Sequence, residues 1–433
     1  MTTVHDYKGW VIILNFKCGF SKVDITPFIS TPLVGYSFKR FSERVSDRLF
    51  LRVLYLKKGD VEFSLIETDL IAIDKGLCRE IEKKSGIKTF IWAIHTHSGP
   101  GGFFSDDNLL LNSLSGVFGK KNKGYRKELI EKILLGIKKA KLDLENASIR
   151  VKKNKIENIG ANRQSSDGYF NPELLALDIK KQSGRRCILY NFSCHPTVLN
   201  YKNKEISADF PGFTAKSLEE DIEMCMFLNG SAGDISTRFT RKESSLKEAK
   251  RLGELLKEGI IKTINSGDYE KVDFLNFKKE KIKLNLRKLP SMNDAIKEYK
   301  NLSNKLKRIS KEDTLKFRLI ESRLEGAKLN LKYREILKDI KEIETVISCI
   351  VINDNYILGI PGELFNKLGD DIKNNSNGSI FVGNYFYDYI GYIPPKGEYD
   401  NNTYEAFSTI LKKGSAELLV NASKNLINRM KED

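Results

Sequence analysis

Residues 89–102 read TFIWAIHTHSGPGG, and this stretch decides the fold class. Its first six residues form a short apolar run, which is typical of a buried strand. The run passes directly into a polar, glycine-rich loop that begins with His95 and also carries His97. Residues two apart on a strand point to the same side, so both imidazoles can face one cavity. The stretch therefore predicts a strand that delivers functional side chains to the loop at its end.

The same pattern recurs twice further along the chain. An apolar run over 187–193 ends at Cys194-His195-Pro196-Thr197, and another over 224–228 ends in the glycine-bearing loop 229–234. Strands of this kind alternate with helical patterns, such as the apolar stripe over 124–143. The sequence therefore predicts an α/β fold with mixed β-sheets flanked by helices.

Further elements follow from periodicity and turn residues. Hairpins are predicted where two apolar or alternating runs flank a short polar turn, and helices where apolar residues recur every three to four positions. The remaining predictions are hairpins at 51–57/61–66 and 345–352/356–360, helices over 74–85 and 243–265, and extended segments over 147–158, 173–180 and 272–288.

The domain organisation is predicted to be simple. Residues 1–16 form an N-terminal tail, and residues 17–433 form one catalytic domain. Within it, residues 290–345 are strongly charged with apolar residues near helical spacing, which predicts a helical insertion with a solvated face. A coiled-coil partner site is disfavoured, because no heptad is sustained.

Composition limits the cellular setting. The chain has 433 residues, of which 40% are hydrophobic and 30% are charged, so it can bury a large core. No run of about 18 or more apolar residues is present, so no membrane-spanning helix is predicted. The apolar run from Trp10 to Leu14 is too short for a secretory signal, which favours a cytoplasmic location. Six cysteines are scattered without a C-x-x-C pair, which predicts buried free thiols.

The net charge of +16 has two readings. It attracts anionic partners, or it reflects a lysine-rich solvated surface. No nucleic-acid-binding motif accompanies the charge, so no nucleic-acid partner is predicted. A peripheral contact with an anionic membrane stays open, and the sequence does not indicate the oligomeric state.

Histidine placement points to a metal site. The chain has four histidines, and three of them lie at the ends of predicted buried strands. Neutral imidazole is a common zinc ligand, and a neighbouring histidine can act as an acid or base near neutral pH. Two histidines need at least one oxygen ligand to complete a catalytic site. The residues alone leave four carboxylates open as that ligand: Asp69, Asp209, Asp234 and Glu363.

A family resemblance covers roughly residues 17–415 and narrows this choice. The string His95-Thr96-His97-Ser98-Gly99-Pro100-Gly101-Gly102 resembles the hallmark motif of the neutral/alkaline non-lysosomal ceramidase family. Further matching segments occur in the same order as in that family. They are Lys22–Pro27 with Gly35-Tyr36, Asn162-Arg163, Cys194–Thr197 with Ser207–Asp209, Asn229–Ser236, Pro361–Phe365, and Asn384 to Tyr389 followed by Glu398-Tyr399 and Tyr404-Glu405.

The resemblance implies a neutral-ceramidase-like catalytic domain and a set of site residues. One Zn²⁺ ion would be held by two histidines, a glutamate and a tyrosine. A further histidine would be the acid or base, an arginine would lie by the substrate oxygen, and a serine would have a catalytic role. Carried to this sequence, the metal ligands are His95, His195, Glu363 and Tyr389, the catalytic residues are His97, Arg163 and Ser236, and the alternatives for the tyrosine are Tyr385, Tyr387 and Tyr392.

Three hypotheses for the function follow. The first is a zinc-dependent hydrolase that cleaves the amide bond of an N-acyl lipid of the ceramide type through metal-activated water. The second keeps the zinc amidohydrolase but gives it a small soluble amide, lactam or peptide-like substrate. The third belongs to another class, a non-catalytic basic protein that binds anionic surfaces.

Overall fold

A computed structural model describes residues 4–5, 11–12, 15–37, 39–106, 108–310, 314–401 and 403–432. The strands, in chain order, are β1 (Val4–His5), β2 (Val11–Ile12), β3 (Lys17–Asp24), β4 (Pro32–Leu33), β5 (Arg40–Phe41), β6 (Arg44–Val45), β7 (Phe50–Lys58), β8 (Val61–Thr68), β9 (Lys88–Ala93), β10 (Glu145–Lys155), β11 (Ala161–Asn162), β12 (Glu173–Lys181), β13 (Arg186–Phe192), β14 (Glu205–Ile206), β15 (Met224–Asn229), β16 (Ile235–Ser236), β17 (Leu275–Asn285), β18 (Glu342–Ile352), β19 (Asn355–Gly359), β20 (Glu363–Leu364), β21 (Ile380–Gly383) and β22 (Tyr392–Ile393). The helices are α1 (Lys75–Ser85), α2 (Leu109–Ser113), α3 (Ser115–Phe118), α4 (Lys123–Leu142), α5 (Asp209–Leu218), α6 (Leu246–Ile264), α7 (Met292–Arg308), α8 (Thr314–Ile336), α9 (Asn366–Lys373), α10 (Glu398–Asn401), α11 (Tyr404–Ser408) and α12 (Ser415–Glu432).

The largest sheet has eight strands in the order β15-β13-β12-β10-β3-β7-β8-β9. Its two outer pairs, β13–β15 and β8–β9, are parallel, and the inner pairs are antiparallel. Strand β10 contacts β3 only through Glu145 and Asn146 before it continues along β12. This short overlap makes β10 the corner at which the sheet turns.

Because the sheet turns, its two edge strands come together. Trp92 on β9 donates a hydrogen bond from its indole to the carbonyl of Phe227 on β15, at 2.8 Å. Two residues further along both strands, Asn229 donates from its side chain to the carbonyl of Ile94, at 3.1 Å. The carboxyl ends of β9 and β15 therefore lie side by side.

A second, four-stranded sheet in the order β17-β18-β19-β21 packs against these edges. The segment after β21 runs between them: Asn384 donates from its backbone to Asn229, and Tyr387 donates from its backbone to Ile91. Residues that end strands of both sheets thus meet at one place. The helices cover the outer faces, with α4 on β3 and β7, α5 and α6 on the β10–β15 side, and α12 on β17 and β18.

The predicted mixed α/β fold class is confirmed. The hairpins at 51–66 and 345–360 are the antiparallel pairs β7–β8 and β18–β19. The helical stripe at 124–143 is α4, whose residues Leu129, Ile133, Ile137 and Ala140 are buried. All six cysteines are free and buried, as the sequence predicted. Among the described residues, no helix combines the length and the apolar character needed to cross a bilayer.

The region 290–345 contains the helices α7 and α8, as predicted, but residues 342–345 belong to β18 and the surroundings of α8 differ from the prediction. Helices α7 and α8 pack on each other, and α8 also packs against α11 and α2. The side chains of Leu329 and Tyr333 face a pocket, and Tyr333 is 4% exposed. The prediction of a simple solvated insertion was therefore incomplete, because one side of α8 closes over the interior. The division of the chain at residue 16 stays a prediction.

Candidate metal centre and pocket

Three side chains from the ends of separate strands form the floor of this centre. His95 follows β9, His195 follows β13, and Glu363 opens the short strand β20. Their exposed fractions are 2%, 1% and 1%, so all three are buried. The backbone of His95 has a φ of 74°, a left-handed conformation that is uncommon for a residue with a side chain. Its amide nevertheless donates to Leu70 O at 2.9 Å, which holds the turn in place.

Their polar atoms converge on one point. His195 Nε2 lies 2.9 Å from Glu363 Oε2, and His95 Nε2 lies 4.0 Å from the same oxygen. His97 Nε2 lies 3.2 Å from His95 Nε2. The three imidazoles offer nitrogen atoms that all lie within 4.8 Å of one another.

The hydrogen bonds of the Nδ1 atoms, which face away from the centre, orient both rings so that Nε2 faces it. His95 Nδ1 is 2.6 Å from Ile71 O, and His195 Nδ1 is 2.7 Å from Ala232 O. A carbonyl oxygen only accepts, so each Nδ1 carries the hydrogen and each Nε2 presents a lone pair. Metal-bound histidines are held in this way by the partner of their other nitrogen. The donor set therefore fits a metal ion held by two imidazole Nε2 atoms and a carboxylate.

The charge states also suit metal binding. Burial lowers the pKa of His95 to about 3, and burial together with the neighbouring histidines lowers the pKa of His97. Burial alone would raise the pKa of Glu363, but His95, His195 and Arg163 outweigh it and lower that pKa to about 2. At neutral pH, His95 and His97 are therefore uncharged while Glu363 is ionised. Neutral imidazole and carboxylate are the forms that bind metals.

His97 lies beside the ligand atoms and is firmly packed. Its ring contacts Tyr36 edge-on, with the ring centroids 4.8 Å apart. The backbone carbonyl of His97 accepts from Arg40 Nη2 at 2.7 Å. Gly35 makes room for the ring, since a Cβ atom there would fall 2.5 Å from His97 Nδ1. That Nδ1 is buried and has no hydrogen-bond partner among the described residues. The position admits either a neighbouring acid–base group or a third imidazole ligand, so the predicted role of His97 stays a prediction.

Four tyrosines follow β21, and they occupy different places. Tyr389 donates from its hydroxyl to Glu363 Oε1 at 2.5 Å. Tyr385 stacks on the His95 ring with centroids 3.9 Å apart, and its buried hydroxyl finds no partner in the part of the chain that the structure describes. The Tyr392 ring lies 5.2 Å from the Arg163 guanidinium and lines the same pocket. Tyr387 instead bonds Glu82 at 3.4 Å, outside that pocket.

Arg163 and Ser236 lie at the wall of the pocket. Arg163 Nε pairs with Glu405 Oε1 at 2.7 Å, and its Nη2 donates to Gly233 O at 2.8 Å. Ser236 lies on β16 beside His195, and its Oγ accepts from the backbone of Arg238 at 3.2 Å. Both residues line the cavity that also contains the histidines.

The structure distinguishes between the four carboxylates that the residues alone left open as the oxygen ligand of the metal. Of these four, only Glu363 reaches the histidines. Asp69 pairs with Arg52 at 3.2 Å in the large sheet. Asp209 accepts from the backbone of Leu199, and Asp234 accepts from that of Asn366. Sequence reasoning also gave no role to Gln164, which bonds Glu405 in the same pocket at 2.9 Å. Its position directly after Arg163 was the available signal.

The pocket above the centre has a volume of about 470 Å³, which is in the range of small-molecule sites. One part of its wall is apolar and comes mainly from α2, α3 and α8. Another part is charged and comes from α8 and the segment after β16. The apolar residues are Leu110, Leu114, Val117, Phe118 and Leu329, and the charged residues are Arg238, Arg241, Glu321, Arg323 and Glu325.

The fold and the centre define a class of protein: a mixed α/β protein with a buried histidine–carboxylate centre, able to hold a metal ion, beneath a pocket. Residues 16–241, just over half of the chain, match the family model described as neutral/alkaline non-lysosomal ceramidase, N-terminal. The chain belongs to this family, as its motifs predicted. Family membership and fold together support a ceramidase-like amide-bond hydrolase.

Two solved structures share the fold. The crystal structure of neutral ceramidase from Pseudomonas aeruginosa superimposes with a TM-score of 0.76 at 17% sequence identity, covering 97% of this chain and 75% of that one. A ceramidase complexed with C2 gives a TM-score of 0.73 at 16% identity, covering 97% of this chain and 76% of that one. At these identities the likeness establishes the fold.

Proposed function

We propose that the protein is a zinc-dependent amidohydrolase that cleaves an N-acyl bond, with a ceramide-like lipid amide as its substrate. The observation that carries this proposal is the convergence of two imidazole Nε2 atoms on the Glu363 carboxylate. Their Nδ1 hydrogens are already committed to backbone carbonyls. A site that only needed polar packing would not require both lone pairs to face one ionised carboxylate.

In this proposal the metal ligands are His95, His195, Glu363 and Tyr389. A zinc ion bound there would supply Lewis acidity and a source of nucleophilic water at neutral pH. Tyr389 orients Glu363 by donating to its second oxygen, which leaves Oε2 directed towards the histidines.

The remaining residues handle charge and protons. Arg163 is held on two sides by Glu405 and Gly233, so its positive charge is fixed where negative charge develops on the substrate oxygen. His97 exchanges a proton with the departing amine through Nε2, the ring nitrogen that faces the other histidines. The Ser236 oxygen accepts from the backbone, so its hydroxyl hydrogen is available to orient the substrate carbonyl.

The charged part of the wall favours a second candidate substrate class. Glu321, Arg323 and Glu325 face the same cavity as the centre. Charged groups bind polar substrate atoms better than alkyl chains, and about 470 Å³ suits a molecule of modest size. A small soluble amide, lactam or peptide-like substrate is therefore the alternative within the same chemistry. The cytoplasmic location stays part of the proposal.

Metal analysis of tag-free protein tests the centre. We expect near-stoichiometric zinc in the wild type and its loss in His195→Ala, whereas His5→Ala keeps the metal and controls for the loss of a histidine as such. Absence of zinc in the wild type, with none taken up on addition, would exclude the proposed chemistry.

Substrate assays then separate the two classes. A short-chain N-acylsphingosine in detergent and a set of water-soluble amides are compared with the zinc-loaded wild type. Hydrolysis of the first alone supports the lipid amide, and hydrolysis of the second alone supports the alternative. Zinc binding without turnover of either would favour a non-catalytic binding protein.

A further inference from the structure

Among the residues that the structure describes, four large apolar side chains are exposed within one 18-residue stretch of the chain. The exposed fractions are 89% for Phe28, 58% for Ile29, 54% for Phe41 and 38% for Val45. We refer to these four residues as the apolar patch. Single exposed apolar residues are ordinary, but a cluster of them marks an interaction surface.

Backbone pairing holds the patch together as one surface. The amide of Ser30 donates to Ser42 O at 2.7 Å, which places the Phe28–Ile29 turn beside Phe41. Strands β4 and β5 pair Pro32 with Phe41. The patch is therefore built on a paired hairpin and not on a loose loop.

The alternation of β5 explains why Phe41 faces outward. Its neighbour Arg40 points inward, is 5% exposed and donates to His97 O. Successive side chains on a strand point to opposite faces, so Phe41 faces away from the interior. The same short strand thus braces the candidate centre on one side and presents an aromatic ring to solvent on the other.

The patch adjoins the entrance of the pocket. The tip of the β4–β5 hairpin, Gly35 to Ser37, lines the pocket directly. Val45 lies on β6, which pairs with β14, and β14 is preceded by the pocket-lining residues Asn200 and Tyr201. Tyr201 is itself 44% exposed. The hairpin and the 200–206 segment therefore connect the patch to the pocket without an intervening element.

The charges around the patch carry a small positive excess. Among its exposed or half-exposed neighbours, five cations stand against four carboxylates, a local excess of one positive charge on a protein with a net charge of +16. Three of the cations form ion pairs, Arg44 with Glu205, Arg48 with Asp24 and Lys204 with Glu43. The other neighbours are Lys39, Lys202 and Asp47.

We propose that the apolar patch docks on the surface of an anionic lipid bilayer, with Phe28 and Phe41 inserted at the interface and the surrounding cations facing the lipid phosphates. Aromatic rings favour the membrane–water interface, and basic residues near it are attracted to anionic lipids. Two copies of this chain would each carry a net charge of +16, and their mutual repulsion disfavours self-association there. Docking in this orientation places the pocket entrance beside the lipid headgroups.

Vesicle co-sedimentation tests this surface. The probes are vesicles of phosphatidylcholine alone and of phosphatidylcholine mixed with phosphatidylglycerol, used with metal-free and zinc-loaded protein alike. We expect the wild type to bind the mixed vesicles, and the double variant Phe28→Ser/Phe41→Ser to bind them at least about tenfold more weakly, because two interfacial anchors are lost. Phe28→Trp keeps an interfacial aromatic ring and should retain binding.

The control is Leu142→Ser, which removes an apolar side chain that is 79% exposed at the end of α4. It should bind vesicles like the wild type, and circular dichroism should show that all variants are folded. Equal binding by the double variant, or no binding by the wild type, would overturn the proposal. A fall in molecular mass of the double variant in size-exclusion chromatography would assign the patch to self-association instead.

Vesicle binding is measured without substrate, so its outcome is independent of turnover. Hydrolysis of a short-chain N-acylsphingosine in detergent should be unchanged in the double variant. Loss of vesicle binding with intact hydrolysis supports the docking surface, whereas absent hydrolysis in every variant concerns only the proposed function.

Discussion

At the residue scale, the hydrogen bonds of each imidazole determine which ring nitrogen faces the centre. His95 and His195 each donate from Nδ1 to a backbone carbonyl, so their Nε2 atoms face the centre with a lone pair. His97 differs, because no carbonyl holds its Nδ1. This difference predicts different consequences when each ring is removed.

We expect His97→Ala to retain zinc but to lower kcat by about 100-fold or more, the usual contribution of a general acid or base. Glu363 and the other two histidines still meet in this variant. Metal analysis and steady-state kinetics on the same preparation measure the two effects. Full activity would remove the proposed acid–base role, and loss of zinc would make His97 a ligand.

Two of the tyrosines that line the pocket, Tyr389 and Tyr392, can be distinguished by removing single hydroxyl groups. Tyr389→Phe loses the hydrogen bond to Glu363 and should weaken zinc binding about 10- to 100-fold, whereas Tyr392→Phe should leave it unchanged. Competition with a chelator gives both affinities. The opposite ranking would move the proposed tyrosine ligand to Tyr392, which contacts Arg163.

Sequence reasoning singled out the histidines of this centre but left four carboxylates open as the oxygen ligand. Strand-end placement singled out His95 and His195 because the signal is local. Glu363 required the family resemblance, because it comes from a strand beside the second sheet, and no local pattern records that approach. The tyrosine stayed ambiguous because three more tyrosines lie within seven residues of Tyr385.

At the scale of single elements, the N-terminus of α1 is capped by Asp74, a side chain that accepts several hydrogen bonds. Asp74 accepts from the Leu77 amide at 3.0 Å and from the Ser105 amide at 3.0 Å, and the Ser105 hydroxyl donates to it as well. The carboxylate is fully buried. It therefore joins the first turn of the helix to the glycine-rich segment after His97.

We expect Asp74→Ala to lower the free energy of unfolding by about 2–4 kcal/mol, since it removes the cap and leaves buried donors without partners. Chemical denaturation measures the change. The matched control is Asp60→Ala in the exposed β7–β8 turn, which should stay within about 0.5 kcal/mol of the wild type. Equal effects of the two substitutions would contradict the structural role of the cap.

Helix α8 shows what periodicity cannot predict. Its helical state was predicted from spacing, but the sequence did not indicate that Glu321 and Glu325 face a pocket. Burial together with the nearby Glu321 raises the pKa of Glu325 to about 7. A charged side chain beside a hydrated cavity looks, in sequence, the same as one in bulk solvent, so the pattern favoured a solvated face.

At the scale of the whole molecule, buried acids make stability depend on pH. Asp47 accepts from the Ala208 amide through Oδ1, while its Oδ2 is buried and no described residue bonds to it. Burial, with Asp69 and Asp209 nearby, raises the pKa of Asp47 to about 7. A raised pKa means that the folded state prefers the protonated form, so stability is greatest below the ordinary aspartate pKa and is lost as the pH rises through 7.

We therefore expect Asp47→Asn to gain stability relative to the wild type as the pH is raised from 4 to 8, by about 1.4 kcal/mol for each unit of pKa elevation. Denaturation curves across this range measure the difference. Asp24→Asn serves as the control of opposite sign, because Thr26 and Arg48 lower the pKa of Asp24 against the effect of burial. Its stabilising effect is present above the ordinary pKa and is lost as the pH falls. A constant difference for Asp47→Asn would contradict the shift.

The fold class could be predicted from the sequence, but the order of the strands in the large sheet could not. Apolar runs and turns predicted the strands and helices because each pattern is complete within about ten residues. The order of the eight strands was not predictable, because it depends on the corner in β10 and on contacts such as that between Trp92 and Phe227. Those pairings join residues more than a hundred positions apart.

The residues of the centre lie far apart in the sequence, so they become available in a fixed order while the chain is being synthesised. His95 and His195 belong to loops of the large sheet, but Glu363 follows His195 by 168 residues and arrives with the second sheet. A nascent chain can complete the large sheet while its centre still lacks the carboxylate. Capture of a metal ion then reports that both sheets have docked, so metal retention measures the maturity of newly made protein as well as the chemistry of the site.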